Sequence, residues 1–278
     1  MELEKGNWSG SLKKVKPEIK SLYYKGNIDL LLDASPKLAI VGSRRMTEYG
    51  QRVIEKWMPL LVERGVTVVS GFMYGVDQTA HRASIENGGK TIAVLGWGID
   101  WQVTSQDEEL YQKIVEVNSL IVSEYEGKTA PLLWYFPQRN RIVAGISDAV
   151  LVVEGSTKSG SMITAKLASR FGKKLLAIPG QVTSRVAEGT NGLIRDGKAR
   201  AVTCAEEVLE EMGLMPGQLK LGMEYPNDPM LLLLADGERS VDELARLLKM
   251  NVSQVLGRLT ELTLCGMVAE SGGKYRTV

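Results

Sequence analysis

Six short apolar runs, each closing on a small or acidic residue and separated by segments of helical period, constrain this chain most. They are KLAIVGS at 37–43, VTVVSG at 66–71, TIAVLG at 91–96, LIVSE at 120–124, AVLVVE at 149–154 and KLLAIPG at 174–180. An apolar run with no polar alternation reads as a strand covered on both faces. Between the first two, Val53, Ile54, Trp57, Leu60 and Leu61 share one side of a helix over 48–64, with Gly65 as its C-terminal cap. Further helices are expected over 76–87, 107–118, 140–146 and 160–171. Repeated βα units give an α/β fold: a Rossmann-like, doubly wound, mostly parallel sheet with helices on both faces. Ligands of such sheets bind beyond the carboxyl ends of the strands. The turns at Gly42-Ser43-Arg44, Ser70-Gly71, Gly96-Trp97-Gly98, Ser123-Glu124 and Glu154-Gly155 are therefore expected on one rim.

The last quarter of the chain has a different pattern. GLMPGQLKLGMEYPN, 213–227, has glycine and proline but no period and reads as a linker. DPMLLLLA then suggests a short helix, and SVDELARLLKM a second, with Ser240 and Glu243 spaced as a capping box. NVSQVLGRLTELTLCGM gives a third helix ending near Gly266, and VAESGGKYRTV a hairpin around Gly272-Gly273. Three helices followed by a hairpin is the order of a winged helix-turn-helix. The expected division is an N-terminal extension at 1–36, a Rossmann-like domain at 37–212, the linker, and a small C-terminal winged-helix domain at 228–278.

Charge limits the partners. With 34 basic and 33 acidic residues the net charge is +1, which argues against a basic coat for non-specific nucleic-acid binding. Any such site must be local. No run of 18 apolar residues occurs, so no membrane span is expected, and the N-terminus lacks the apolar core of a signal peptide. Cys204 and Cys265 lack metal-ligand spacing and read as buried thiols of a cytoplasmic protein. His81 is the only histidine and reads as a hydrogen-bonding group within the fold. No metal, cofactor or catalytic residue is expected.

Two segments have the marks of an anion site. FPQRNRIVAGISDAVLVVEGSTKSGSMITA, 136–165, runs from a basic cluster through a strand and a small-residue turn into a helix, and IVGSRRMTEYG, 40–50, is a smaller version. Ser43 and Arg44 can face one anion through backbone amide and guanidinium, although a surface arginine after an ordinary strand is the plainer reading. Gly71 permits close backbone approach by a ligand, with Asp77 near the next helix start as cap or dipole partner. In FPQRNR, Phe136 can stack on a base, Arg139 and Arg141 supply charge, and Asn140 both donates and accepts. Alternatively the two arginines tie loops together through Glu124 or Asp148; one structural and one ligand-facing arginine satisfies both readings. Lys158, Ser159, Gly160 and Ser161 coincide at a helix start, but GxxxxGK[ST] is absent, so nucleotide hydrolysis is unsupported. Trp97 and Trp101 read as lid packing or as stacking platforms.

Together these motifs closely resemble the DNA-processing protein A family (DprA, also called Smf) from about Pro17 to Val208. The resemblance rests on LYYKGN, IVGSRRMTEYG, VVSGFMYGVDQTAH, GGKTIAVLGWGID, SEYEG, FPQRNRIVAGISDAVLVVE, KSGSMITA, AIPG and GTNGLIRDGKA. It implies a protein that binds and protects incoming single-stranded DNA, forms a homodimer, and loads RecA recombinase in natural transformation and recombination. The implied DNA contacts are Arg44, Phe136, Arg139 and Asn140, with Lys158 on the same ground. Two departures stand out. WQVTSQDEE at 101–109 replaces the family's Tyr-Pro and nearby basic residue, and only about 36 residues precede the first expected strand, too few for the N-terminal helical domain of many members. The alternatives are a nucleotide N-glycosidase of the same superfamily and a nucleotide-sensing module. The first lacks its central carboxylate, because Thr164 stands where that glutamate would be.

Overall fold

A computed structural model describes the chain apart from residues 9, 215–227, 236, 265–267 and 278. The expected linker, the end of the third C-terminal helix and Cys265 therefore fall largely or wholly outside the described residues. The strands of the main sheet are β1 (Tyr23–Gly26), β2 (Lys37–Val41), β3 (Thr67–Ser70), β4 (Thr91–Leu95), β5 (Leu120–Ser123), β6 (Ala149–Val152), β7 (Lys174–Ala177) and β8 (Arg200–Ala201). The helices are α1 (Gly10–Lys13), α2 (Asp29–Leu32), α3 (Glu48–Glu63), α4 (Val76–Glu86), α5 (Ser105–Glu116), α6 (Tyr135–Ile146), α7 (Ser161–Arg170), α8 (Glu188–Arg195) and α9 (Ala205–Met212). Every residue of β2 through β6 is buried, as unbroken apolar runs require.

Sheet order is β1-β5-β4-β3-β2-β6-β7-β8. Strands β2 to β8 run parallel, with Leu38 beside Val68 on one side and Ala149 on the other. Succession goes outward from β2 through β3, β4 and β5, then returns to the far side of β2 at β6. That reversal opens a crevice at the carboxyl ends of β2 and β6, the place where doubly wound sheets bind ligands. Alternate residues pack on opposite faces. Ala39, Val41, Val94, Val122 and Val152 meet Ile142 and Val143 of α6 and Ala165 and Ala168 of α7. Ala93, Leu95 and Ile121 meet Phe72, Leu110 and Ile114 on the other face.

Three features depart from the sequence reading. Residues 1–36 are an integral part of this unit, because Leu12, Val15, Ile19 and Leu22 are buried in the same core as α6. Their strand β1 is antiparallel to β5, with Tyr23 opposite Ser123. Helix α6 begins at Tyr135, five residues earlier than expected, so all of FPQRNR is helical and not its last two residues alone. Pro137 is tolerated there because first-turn amides have no partner inside a helix.

Residues Met1–Gly213 form one compact unit, and Leu214–Val278 contain a second. In the second, α10 (Pro229–Ala235), β9 (Arg239–Ser240), α11 (Val241–Leu248), α12 (Val252–Leu264), β10 (Val268–Ser271) and β11 (Lys274–Thr277) enclose Leu234, Leu244, Val255 and Leu259. The capping box is present: Glu243 N donates to Ser240 Oγ at 3.3 Å and Ser240 N to Glu243 Oε2 at 2.7 Å. Gly272 and Gly273 both have positive φ, as a two-residue turn between β10 and β11 requires. This is a winged helix. No helix among the described residues is long and apolar enough to cross a membrane.

Candidate nucleic-acid interface

A cavity of about 610 Å³ occupies the crevice beside β2 and β6. The Gly42-Ser43-Arg44 turn after β2, Gly71 after β3, and Ser156 and Ser159 from the turn after β6 line it, together with the start of α6. Its charge is one-sided: Arg44, Arg45, Arg139 and Arg185 face a single acid, Asp77. Arg44, Arg45 and Arg185 are exposed, and none forms an ion pair with a described residue. Arg45 and Arg185 were missed by sequence reasoning. Arg45 merely follows the recognised turn, and Arg185 comes from a loop about 20 residues beyond the nearest site motif, so only the fold brings it here.

Arg44 and Phe136 meet directly. The guanidinium lies over the Phe136 ring at 5.5 Å from its centroid, a cation–π contact that holds the charge at the cavity mouth. Trp97 supports the ring from beneath, edge-on at 6.1 Å. Gly96 makes room for it, since a Cβ there would sit 3.0 Å from Phe136 Cδ1. Trp97 is buried among Phe72, Leu95 and Ile114, so it is a support for Phe136 and not a stacking platform. Leu133 and Ile163, both exposed, give the rim an apolar lip.

Arg139 has a different role from the expected mobile charge. Its side chain is on the buried side of α6, only 2% of the residue is exposed, and Nη1 donates to the carbonyls of Gly71 and Val94. Burial pushes its pKa down to about 10, against the opposing pull of Asp77. For Asp77, burial raises the carboxyl above its ordinary range, and Arg139 offsets that rise only in part. Both side chains converge on Gly71: a Cβ there would lie 2.6 Å from Arg139 Nη2 and 2.6 Å from Asp77 Oδ2. The missing Cβ of Gly71 therefore makes room for Arg139 and Asp77 beneath the cavity, and not for the ligand approach expected of it. The second arginine, Arg141, is fully internal, paired through both terminal nitrogens with Glu124 at 2.5 and 2.6 Å.

Asn140 lines the cavity between Arg139 and the β6–α7 turn. Its Oδ1 accepts from Arg139 Nε at 3.2 Å and its Nδ2 donates to Gly160 O at 3.4 Å. The amides at the start of α7 already have local acceptors: Ser161 N reaches Ser159 Oγ, Met162 N reaches Ser159 O, and Ile163 N reaches Gly160 O. Anion attraction there comes from the helix dipole and the arginines, and less from free N–H groups than the sequence implied. Ser43 Oγ is similarly engaged, accepting from Arg45 N at 3.0 Å. Lys158 is exposed on the same turn but outside the cavity lining.

The acids at the neighbouring strand ends are turned elsewhere. Glu154 is buried and caps α3, accepting from Thr47 N at 2.8 Å and Thr47 Oγ1 at 2.5 Å. Glu124 is held by Arg141, and Thr164 lines the cavity without a carboxylate. Asp107, in the segment that departs from the family pattern, accepts from Gln78 Nε2 at 2.7 Å and Thr104 Oγ1 at 2.8 Å. His81 Nδ1 lies 2.6 Å from Thr91 Oγ1 inside the fold, and Cys204 is half-buried. No group of three His, Cys, Asp or Glu side chains among the described residues could hold a metal ion.

An α/β sheet with an arginine-lined crevice at its switch point defines a Rossmann-like protein with a cationic pocket. The family profile described as DNA recombination-mediator protein A matches residues 1–213, that of the DprA winged-helix domain matches 226–274, and the chain belongs to this DprA/Smf family. It is 42% identical over 190 residues to DNA processing protein DprA of Streptococcus pneumoniae, covering 68% of this chain and 66% of that one. It is 35% identical over 269 residues to protein Smf of Escherichia coli, covering 92% and 71%. Among solved structures, S. pneumoniae DprA matches with a TM-score of 0.71 at 37% identity, covering 76% of this chain and 74% of that one. Helicobacter pylori DprA, in a structure that addresses its single-stranded DNA binding mode, matches at 0.69 with 31% identity, covering 76% and 94%.

Proposed function

We propose that this chain binds single-stranded DNA through the switch-point cavity and performs no chemistry on it. The carrying observation is that three exposed arginines, none ion-paired with a described residue, line one cavity with the half-buried ring of Phe136, which Arg44 covers. Arginines meet successive phosphates, and the ring offers a base about 1–3 kcal/mol of sequence-tolerant stacking. A base stacking on the cavity side of Phe136 competes with Arg44 for the ring, so binding moves that guanidinium outward to a phosphate. The H. pylori relative's single-stranded DNA binding mode supports the same polymer. The glycosidase reading loses its rim candidates, because Glu124 and Glu154 are both committed within the fold and Asp77 lies beside Arg139.

Few phosphate contacts per protomer and a net charge of +1 make tight binding depend on a second copy, so the DNA-bearing species in this reading is a homodimer. Membership of a recombination-mediator family supports the further step, protection of incoming single strands and loading of RecA recombinase during transformation and recombination. A titration of labelled single-stranded oligonucleotide against duplex and mononucleotide controls tests the binding step. Preference for the single strand is expected. Equal saturation by a mononucleotide replaces this reading with a nucleotide-sensing one. Faster RecA assembly on strands already bound by the protein tests the loading step, and an unchanged rate removes it.

A further inference from the structure

The outer face of α7 continues the positive charge of the cavity toward the opposite edge of the sheet. Ile163, Lys166 and Arg170 recur at intervals of three and four and are all exposed, so they form one stripe along the helix. Ile163 borders the first cavity. Arg170 borders a second concavity of about 470 Å³, shared with Lys14, Lys16 and Lys173, and backed by Gly145 and Phe171. The loops around the first cavity follow β2, β3 and β6, whereas those around the second precede β6 and β7. Parallel strands place these loops on opposite edges of the sheet. The ten residues of α7 separate them by about 15 Å at a rise of 1.5 Å per residue.

The second concavity is cationic without internal compensation. Lys14, Lys16, Lys166, Arg170 and Lys173 form no ion pair with a described residue. Asp148 is the acid that favours the Lys173 charge, but its Oδ2 already accepts from Lys37 N at 2.8 Å. Burial, and then the Lys14 charge, holds the Lys173 ammonium below the ordinary lysine range. Such crowding of like charge in a nearly neutral chain is relieved by an external polyanion.

We propose that α7 guides a phosphodiester strand from the first cavity to the second, so that one single strand contacts both edges of the sheet. This rests on the single-strand reading above. A single strand fits because the stripe is one helix face wide, with the apolar surfaces of Ile163 and half-buried Phe171 at its two ends to receive bases. The test uses the full chain and the triple variant Lys166→Gln, Arg170→Gln, Lys173→Gln, which replaces charge with a good helix former. Binding is titrated against salt with oligothymidylates of about 5 and about 20 nucleotides, bracketing the range of single-strand sites. The native chain should bind the longer strand with the steeper salt dependence. In the variant, binding of the shorter strand should be unchanged. The slope for the longer strand should fall by about 2, at roughly 0.7 per lost phosphate contact.

An unchanged slope for the longer strand in a variant with the native melting temperature overturns the track and leaves the cavity reading intact. A native chain that binds neither strand overturns both. Loss confined to duplex of the longer length overturns the single-strand track in favour of a duplex contact.

Discussion

At the scale of the residue, the buried and exposed arginines of one cavity are expected to respond in opposite ways. Phe136→Ala removes the stacking surface and should weaken single-stranded oligonucleotide binding by about 1–3 kcal/mol across sequences, read by titration at a temperature where the variant is fully folded. Arg139→Ala should act on the fold. It leaves half-buried Asp77 without its cation and two buried carbonyls without donors, a loss on the order of 3 kcal/mol in denaturant unfolding. His81 gives the fold a pH dependence of definite sign. Thr91 Oγ1 donates to Val68 O at 3.1 Å, so it accepts from His81 Nδ1 and leaves Nε2 buried without a partner. Burial, and then the charge of Arg139, pushes the His81 pKa down from 6.5 to about 3. An unfolded chain takes up that proton near pH 6.5 and the native chain does not. The stabilisation is thus complete above that pH and is lost as pH falls, by about 2 kcal/mol between pH 7 and 5. Asp77, raised by burial, contributes with the opposite sign. Denaturant curves of the native chain and His81→Phe should therefore diverge with pH, and parallel curves would remove His81 as the cause.

At the scale of the element, legibility followed burial. The strands β2 to β7 were readable because covering a strand on both faces forces an unbroken apolar run. Edge strands impose no such demand: β1 has four half-buried or exposed residues, β8 only two exposed ones, and neither registers as a period. The start of α6 was hidden by Pro137, which ends helices everywhere except in a first turn. That error left Phe136 and Arg139 outside the expected helix at 140–146, so the burial of Arg139 on a helix face went unseen. The capping box of α11 was readable because it needs only two residues at fixed spacing. In the same unit, Arg258 is the one cation of the expected third helix at 251–266, which is thin for a duplex contact. The structure ties it to Asp228, Nη2 to Oδ2 at 2.5 Å, while Asp228 Oδ1 caps α10 through Met230 N at 2.8 Å. Burial acts to raise the Asp228 carboxyl, but Arg258 and the two amides hold it below its ordinary range. Arg258→Ala should therefore lower the stability of the winged helix by about 2 kcal/mol, seen as an earlier thermal transition.

At the scale of the molecule, the sequence located the rim but not its composition. Small residues at strand ends mark where loops must turn, and parallel connectivity gathers those turns on one edge whatever their side chains. Which cations face the crevice depends on loop paths with no local signature; hence Arg185 was unseen, and Lys158 was expected in a lining it does not join. The same geometry sets how binding responds to salt. A chain with net charge +1 has no long-range field to hold DNA, so attraction is confined to the arginines at the crevice. Each phosphate neutralised on a single strand contributes about 0.7 to the slope of log affinity against log salt. For a short oligonucleotide, Arg44, Arg45 and Arg185 should together give a slope of about −2, and Arg44→Ala should make it shallower by about 0.7. Arg139→Lys, changing a residue buried beneath the crevice, should leave that slope as it was. A slope near zero for the native chain would mean that the arginines face solvent and not phosphate, whereas one several times steeper would require cations from well outside the crevice or from a second protomer.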